Sequence, residues 1–188
     1  MFAGMGQEQP IELTLYTDAY MVHGTIMTRQ RRVTDMLNMA EHDFIVLSDV
    51  TMDEFGSRGQ PAQAAFAQVN LGSVLFAIGN THLEALPELR TPKVSETALI
   101  SIPPFKITGR IHVLPDRDLR EALAELVGRF VPVTEATYWS DVVNESRTTA
   151  AIAAVNHARC QIMAPHQEID PWAGLDPAPR AVAGADPA

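Results

Sequence analysis

One pattern is written twice in this chain, about 86 residues apart, and an internal repeat constrains a fold more tightly than any single motif does. Tyr20, Val22, Gly24 and Ile26 recur as Phe105, Ile107, Gly109 and Ile111. The spacing then lengthens by one residue, and Arg31, Val33, Asp35 and Leu37 recur as Arg117, Leu119, Glu121 and Leu123. Residues 44–51 are echoed by 130–137, and Val69-Asn70 by Val155-Asn156. The shared positions are mostly apolar residues, glycines and turn formers, so the repeat describes a scaffold and places no chemistry.

The repeated residues fall at alternate positions in Tyr20/Phe105, Val22/Ile107, Gly24/Gly109 and Ile26/Ile111, which puts them on one face of a strand. Glycine weakens a strand interior, so Gly24 and Gly109 predict a bulge or a close backbone approach. Val33, Met36, Leu37 and Ala40, matched by Leu119, Ala122, Leu123 and Leu126, form the apolar stripe of a short helix, with Asp116 as the expected N-cap of the second. Residues 44–51 and 130–137 read as buried strands, the second expected at a sheet edge or beginning late because Pro132 lacks a donor. A loop at 52–63 and strands at 66–70 and 74–78 complete the unit, with Asn70 and Asn156 at the turns. Each copy therefore reads as β-β-α-β-β-β. The expected fold class is α+β, two tandem modules, each a small twisted antiparallel sheet or half-open barrel with one short helix. Module 1 spans 10–80 and module 2 spans 96–166. Around them lie a flexible N-terminus at 1–9, a linker at 81–95 and a Pro/Ala/Asp-rich tail at 167–188 that cannot bury enough apolar surface to fold alone. Modules of this size have an unfavourable ratio of surface to volume and are expected to pack against each other.

Composition excludes several classes. At 46% hydrophobic and 20% charged residues the chain reads as globular. A net charge of -9 opposes phosphate backbones and anionic lipid, so nucleic acid is not an expected partner. Of the fourteen basic residues only Lys93 and Lys106 are lysines, a bias that reads as GC-rich bacterial coding. The lone Cys160, opposite Val74 in the repeat, reads as a core thiol and rules out a disulfide framework. The first ten residues lack the basic flank and apolar stretch of a signal peptide, and no apolar run reaches the roughly 18 residues of a bilayer span. A cytoplasmic protein without membrane insertion is expected.

Candidate chemistry is sparse. Arg29, Arg31 and Arg32 cluster where a helix begins and where backbone N–H groups also attract anions, making this the best candidate for an anionic ligand or an acidic partner. In the second copy this stretch holds Asp116 and Asp118, so a head-to-tail contact between neighbouring molecules is one expected use. Trp139 and Trp172 are candidate interface anchors. The polar positions kept in both copies, Asp35/Glu121 and Asn70/Asn156, suit caps and turns. The six histidines show no ligand spacing, and none recurs between the copies. Gly4-Met5-Gly6 lacks the third glycine of a dinucleotide fingerprint, and Gly56-Ser57-Arg58-Gly59 lacks the spacing of a nucleophile elbow. No catalytic residue, metal or cofactor is assigned.

The segment Arg32-Val-Thr-Asp35-Met-Leu-Asn38, followed by Phe44 and Leu47, resembles a family of uncharacterised bacterial β-rich domains with Arg-[Leu/Val]-[Ser/Thr]-Asp-x-Leu-Asn before a strand. In the second copy Ala124 replaces Asn38. The resemblance implies a bacterial β-rich module and brings no activity with it. The function expected from the residues is a non-enzymatic assembly or adaptor protein, a tandem-repeat scaffold with a protein partner or with self-association. The alternative is a regulatory module binding a small anionic ligand at residues 29–32 or between the repeats.

Overall fold

The alternating pattern folds as strands throughout. The computed structural model describes residues 8–30, 32–40, 42–79, 94–116 and 118–166. Strands β1 (Gln9–Thr17) and β2 (Tyr20–Thr28) lead to helix α1 (Val33–Asn38), followed by β3 (Phe44–Glu54), β4 (Ala62–Asn70) and β5 (Val74–Gly79). The same order returns as β6 (Val94–Ile102), β7 (Phe105–Val113), α2 (Leu119–Ala124), β8 (Phe130–Ser140), β9 (Glu145–Asn156), a 3-10 turn (His157–Arg159) and β10 (Ile162–Pro165). The flexible N-terminus, most of the linker and the tail lie outside the described residues, and β6 begins at Val94, inside the expected linker.

The expectation of an α+β fold of two tandem modules is overturned. All the described strands join one ten-stranded sheet in the order β10-β6-β7-β8-β9-β5-β1-β2-β3-β4, every pair antiparallel. Each helix has only six residues. The halves merge because β9 and β5 pair, through Phe76↔Val155, Ala77↔Ala154 and Ile78↔Ala153. That pairing satisfies two rows of backbone groups that separate sheets would leave as open edges.

The sheet is strongly curved. The Tyr16 and Tyr138 hydroxyls are hydrogen-bonded at 2.9 Å, although β5 and β9 lie between β1 and β8. In a flat sheet strands so spaced would stand about 14 Å apart. Bulges supply part of the bend: Asp49 and Val50 face Gly24 alone, and Glu135 and Ala136 face Gly109 alone. Asp49 and Glu135 adopt φ of 52° and 50°. A Cβ on Gly24 would lie 3.0 Å from Leu47 Cβ, and one on Gly109 only 2.5 Å from Val133 Cγ1, so both positions admit glycine because the partner strand crosses so close.

Two sequence expectations need correction here. Asp118, not Asp116, caps α2: its carboxylate accepts from Glu121 N at 2.8 Å, and Glu121 completes a capping box. Strand β8 is interior and begins at Phe130. Pro132 is accommodated because it pairs with Ala154 of β9 in a stretch that precedes the pairing of β8 with β7, which begins at Thr134.

Two cores result. In the first, Leu13, Leu15, Val22, Leu47 and Val50 pack under Met36 and Leu37 of α1, and Phe130 and Ala154 enter from the other half. In the second, Ile100, Phe105, Ile107, Tyr138 and Val155 are covered by Tyr16, Leu75 and Phe76 from the first half. Strand β5 over residues 74–77 and the end of β1 over residues 15–17 are therefore buried on both faces. Among the described residues no helix is long and apolar enough to cross a membrane.

Candidate functional site

The most informative place in the molecule is the β5·β9 junction, because the repeat supplies its open counterpart. At the junction, Tyr16 stacks on Phe76 at 4.3 Å, and Phe76 meets Phe105 at 5.2 Å and Tyr138 at 5.1 Å. Aromatic pairs of this geometry contribute about 0.5–1.5 kcal/mol each beyond their buried area. Burial pushes both Tyr16 and Tyr138 above the ordinary tyrosine range, and the Tyr138 hydroxyl raises Tyr16 further. Polar contacts seal the rims. Asn156 Nδ2 donates to Val74 O at 2.8 Å and Leu71 O at 3.3 Å. The Asn38 side chain pairs with Phe130 like a strand, donating to its carbonyl and accepting its N–H, both at 2.8 Å. Arg159 reaches Asp18 at 2.6 Å, and Arg129 reaches Asp43 at 2.6 Å.

The corresponding places beside β4 are open. In the second half, Phe105, Ile107, Tyr138, Ala153 and Val155 form a face that the first half covers. Their repeat partners Tyr20, Val22, Met52, Ala67 and Val69 line a groove of about 380 Å³ with the β4 edge along its side. Tyr20 is 42% exposed where Phe105 is 1%, and Phe44 is 44% exposed where Phe130 is 1%. Phe44 and Val46 face a second depression, bounded by Leu37, Asn38, Gln68 and Arg129. Natural edge strands are usually short, charged or covered; β4 is nine residues long and contains no charged side chain.

Of the residues singled out by charge, Arg29 and Arg32 do not line this groove. Arg29 pairs with Glu8 at 3.2 Å, Arg32 is exposed at the N-cap position of α1 without a side-chain cap, and Arg31 lies outside the described residues. Six residues of helix offer little dipole to an anion. Trp139 lies on β8 with the Arg147 guanidinium 4.1 Å from its ring centre, and Trp172 lies outside the described residues. Asp35 is exposed in the first turn of α1 and Glu121 serves the α2 cap. Asn70 Oδ1 accepts from Gly72 N at 2.8 Å at an exposed turn, whereas Asn156 is buried in the junction. Burial pushes the Cys160 thiol up to about 12, far from a reactive thiolate at neutral pH. Among the described residues no three His, Cys, Asp or Glu side chains are grouped to hold a metal.

Sequence reasoning passed over the groove because Tyr20, Val22, Met52 and Val69 have the alternation of a core face. Their counterparts are core. Only a three-dimensional comparison of the two halves shows that one face is covered throughout, while the other buries Val22 and Val69 and leaves Tyr20 exposed. No protein-family model matches the chain, and no curated protein or solved structure matches it either.

Proposed function

We propose that this chain is a cytoplasmic, non-enzymatic assembly protein, which takes an extended segment of a protein partner along the β4 edge and its apolar side chains into the Tyr20 groove. The supporting observation is the unequal burial of matched residues, Tyr20 against Phe105 and Phe44 against Phe130. An exposed aromatic side chain removed from water returns about 1.5–3 kcal/mol. The unpaired N–H and C=O groups of β4 add main-chain recognition, as in other complexes formed by strand addition. At the junction Asn38 and the Asn156 amide nitrogen are engaged with backbone groups, which fits a scaffold role.

The test is affinity purification of the full chain, tagged and kept at its native level beside an untagged copy, in parallel with a Tyr20→Glu variant. A stoichiometric partner, whether another protein or the untagged copy, lost in the variant, supports the reading. Recovery of the tagged chain alone, or a partner indifferent to Tyr20→Glu, contradicts it.

A further inference from the structure

We infer that the occupant of the β4 edge and the Tyr20 groove is the β10 end of a second copy of this chain, so that copies associate head to tail. The inference rests on the reading of that groove as an assembly site and names its partner. Its ground is the β5·β9 junction. There the fifth strand of one half pairs with the fourth strand of the other. Among the described residues, the two strands left unpartnered at the sheet ends are β4, a fourth strand, and β10, a fifth strand. They are therefore the two complementary halves of a junction the molecule already contains once.

The repeat fixes the register. Transferring Phe76↔Val155, Ala77↔Ala154 and Ile78↔Ala153 to the free edges gives Ile162 opposite Val69, Met163 opposite Gln68 and Ala164 opposite Ala67. Strand β10 is already placed for this. It pairs with β6 through Ile162↔Ser101 and Ala164↔Leu99, the positions at which β5 pairs with β1 through Phe76↔Tyr16 and Ile78↔Thr14. The face that Tyr16 and Phe76 present to the second core thus has its counterpart in Leu99, Ser101, Ile162 and Ala164. Ile162 is 58% exposed and takes the place of Phe76. In the neighbouring copy it meets Tyr20 and Met52, as Phe76 meets Phe105 and Tyr138. Helix α2, whose Ala122 and Leu123 are only partly buried while Met36 and Leu37 of α1 are buried, comes to cover Phe44 of that copy.

Charge does not oppose this arrangement. The exchange that sets Arg129 against Asp43 within the chain sets the same two residues near each other between copies, where each is already paired within its own chain. The internal junction also has features that the free edges lack. Ser73 and Pro103 stand where Arg159 and Asp18 would be needed, and Ala124 where Asn38 would be. The junction between copies therefore lacks the Asp18 ion pair and the Asn38 hydrogen bonds, and it opens on dilution while the internal one holds. An interface using different surfaces on its two sides closes into a ring if the rotation permits and otherwise extends as a chain.

The experiment uses full-length protein and two exposed substitutions, Tyr20→Glu in the groove and Ile162→Glu on β10, with circular dichroism to confirm that each folds. Sedimentation and native mass measurements on the unaltered chain are expected to show whole multiples of one chain whose share rises with concentration. Each variant alone is expected to remain a single chain. An equimolar mixture is expected to form a two-chain species and nothing larger, because one intact groove and one intact β10 end remain. A chain that stays monomeric at every concentration overturns the inference, as does association abolished by only one variant or not restored by mixing. If the chain is monomeric while another protein is captured in a Tyr20-dependent way, the groove is an assembly site and only its assigned occupant is wrong.

Discussion

Phe130 and Phe44 hold the same place in two copies of one pattern, yet the first is 1% exposed and the second 44%. The difference lies in the neighbours. Phe130 meets the other half of the sheet, where Asn38 pairs with its backbone and the first core receives its ring. Phe44 sits one strand from an edge that no described residue covers. Burial is thus a property of sheet order as much as of residue type, and the covered junction serves as a template for reading the open edge.

The comparison is broken most severely by removing the side chain that covers the second core. Phe76→Ala is expected to cost about 3–5 kcal/mol, since a fully buried aromatic leaves a cavity among Tyr16, Phe105 and Tyr138. Ile162→Ala, at the matching exposed position, is expected to change stability by less than about 0.5 kcal/mol at low protein concentration. Urea unfolding of both variants measures the contrast. Equal losses would mean that the two positions are not inside and outside versions of one site.

The bulges differ in degree. At Gly109 an added Cβ meets Val133 Cγ1 at 2.5 Å and Thr134 O at 2.9 Å, while at Gly24 the nearest approaches are 3.0 Å and 3.1 Å. Gly109→Ala is expected to lose about 1–3 kcal/mol through overpacking against backbone, and Gly24→Ala less. A thermal scan ranks them, and the reverse order would contradict the geometry.

A matched pair of asparagines sharpens the contrast at the junction rim. Asn156→Ala removes the donor to Leu71 O and Val74 O and is expected to cost about 1–3 kcal/mol. Asn70→Ala breaks only an exposed turn contact and is expected to cost under about 0.5 kcal/mol. Chemical denaturation of the two variants decides it.

A further contrast concerns pH. Tyr16 and Tyr138 are both held above the ordinary value by burial, so in the fold they keep protons that the unfolded chain releases near about pH 10. The native state then binds more protons than the unfolded one, and stability falls with rising pH by up to about 1.4 kcal/mol per pH unit per tyrosine. Below the ordinary tyrosine value this contribution is fully present. Urea midpoints followed from about pH 8 to 11 should decline, and a Tyr16→Phe, Tyr138→Phe double variant should show a flatter decline over the same window.

Local structure was readable from the residues, and sheet order was not. Alternation at Tyr20, Val22 and Ile26, and the helical stripe of Val33, Met36 and Leu37, depend on neighbours in the chain, and the strands and helices lie close to where these patterns place them. The α+β reading of separate modules failed because the pairing of β5 with β9 joins segments far apart in sequence. Nothing in residues 74–78 distinguishes an apolar strand that ends a sheet from one that continues it. Asp116 and Asp118 both precede the same stripe, and which of them caps α2 depends on one turn of backbone. At the candidate site the visible signal was charge, at Arg29, Arg31 and Arg32. The groove has the alternation of a core face but leaves Tyr20 exposed beside the buried Val22 and Val69, and the repeat gives no sign of that until the two halves are compared in space.

Hydrogen exchange of the full chain at rising concentration separates the free edge from the paired one, by comparing the β4 amides of residues 67–70 with the β9 amides of residues 153–156. The β9 amides are expected to be protected at every concentration, while those β4 amides that point away from β3 exchange freely when dilute and gain protection as copies associate. Protection of these outward β4 amides that does not change with concentration would contradict the assembly.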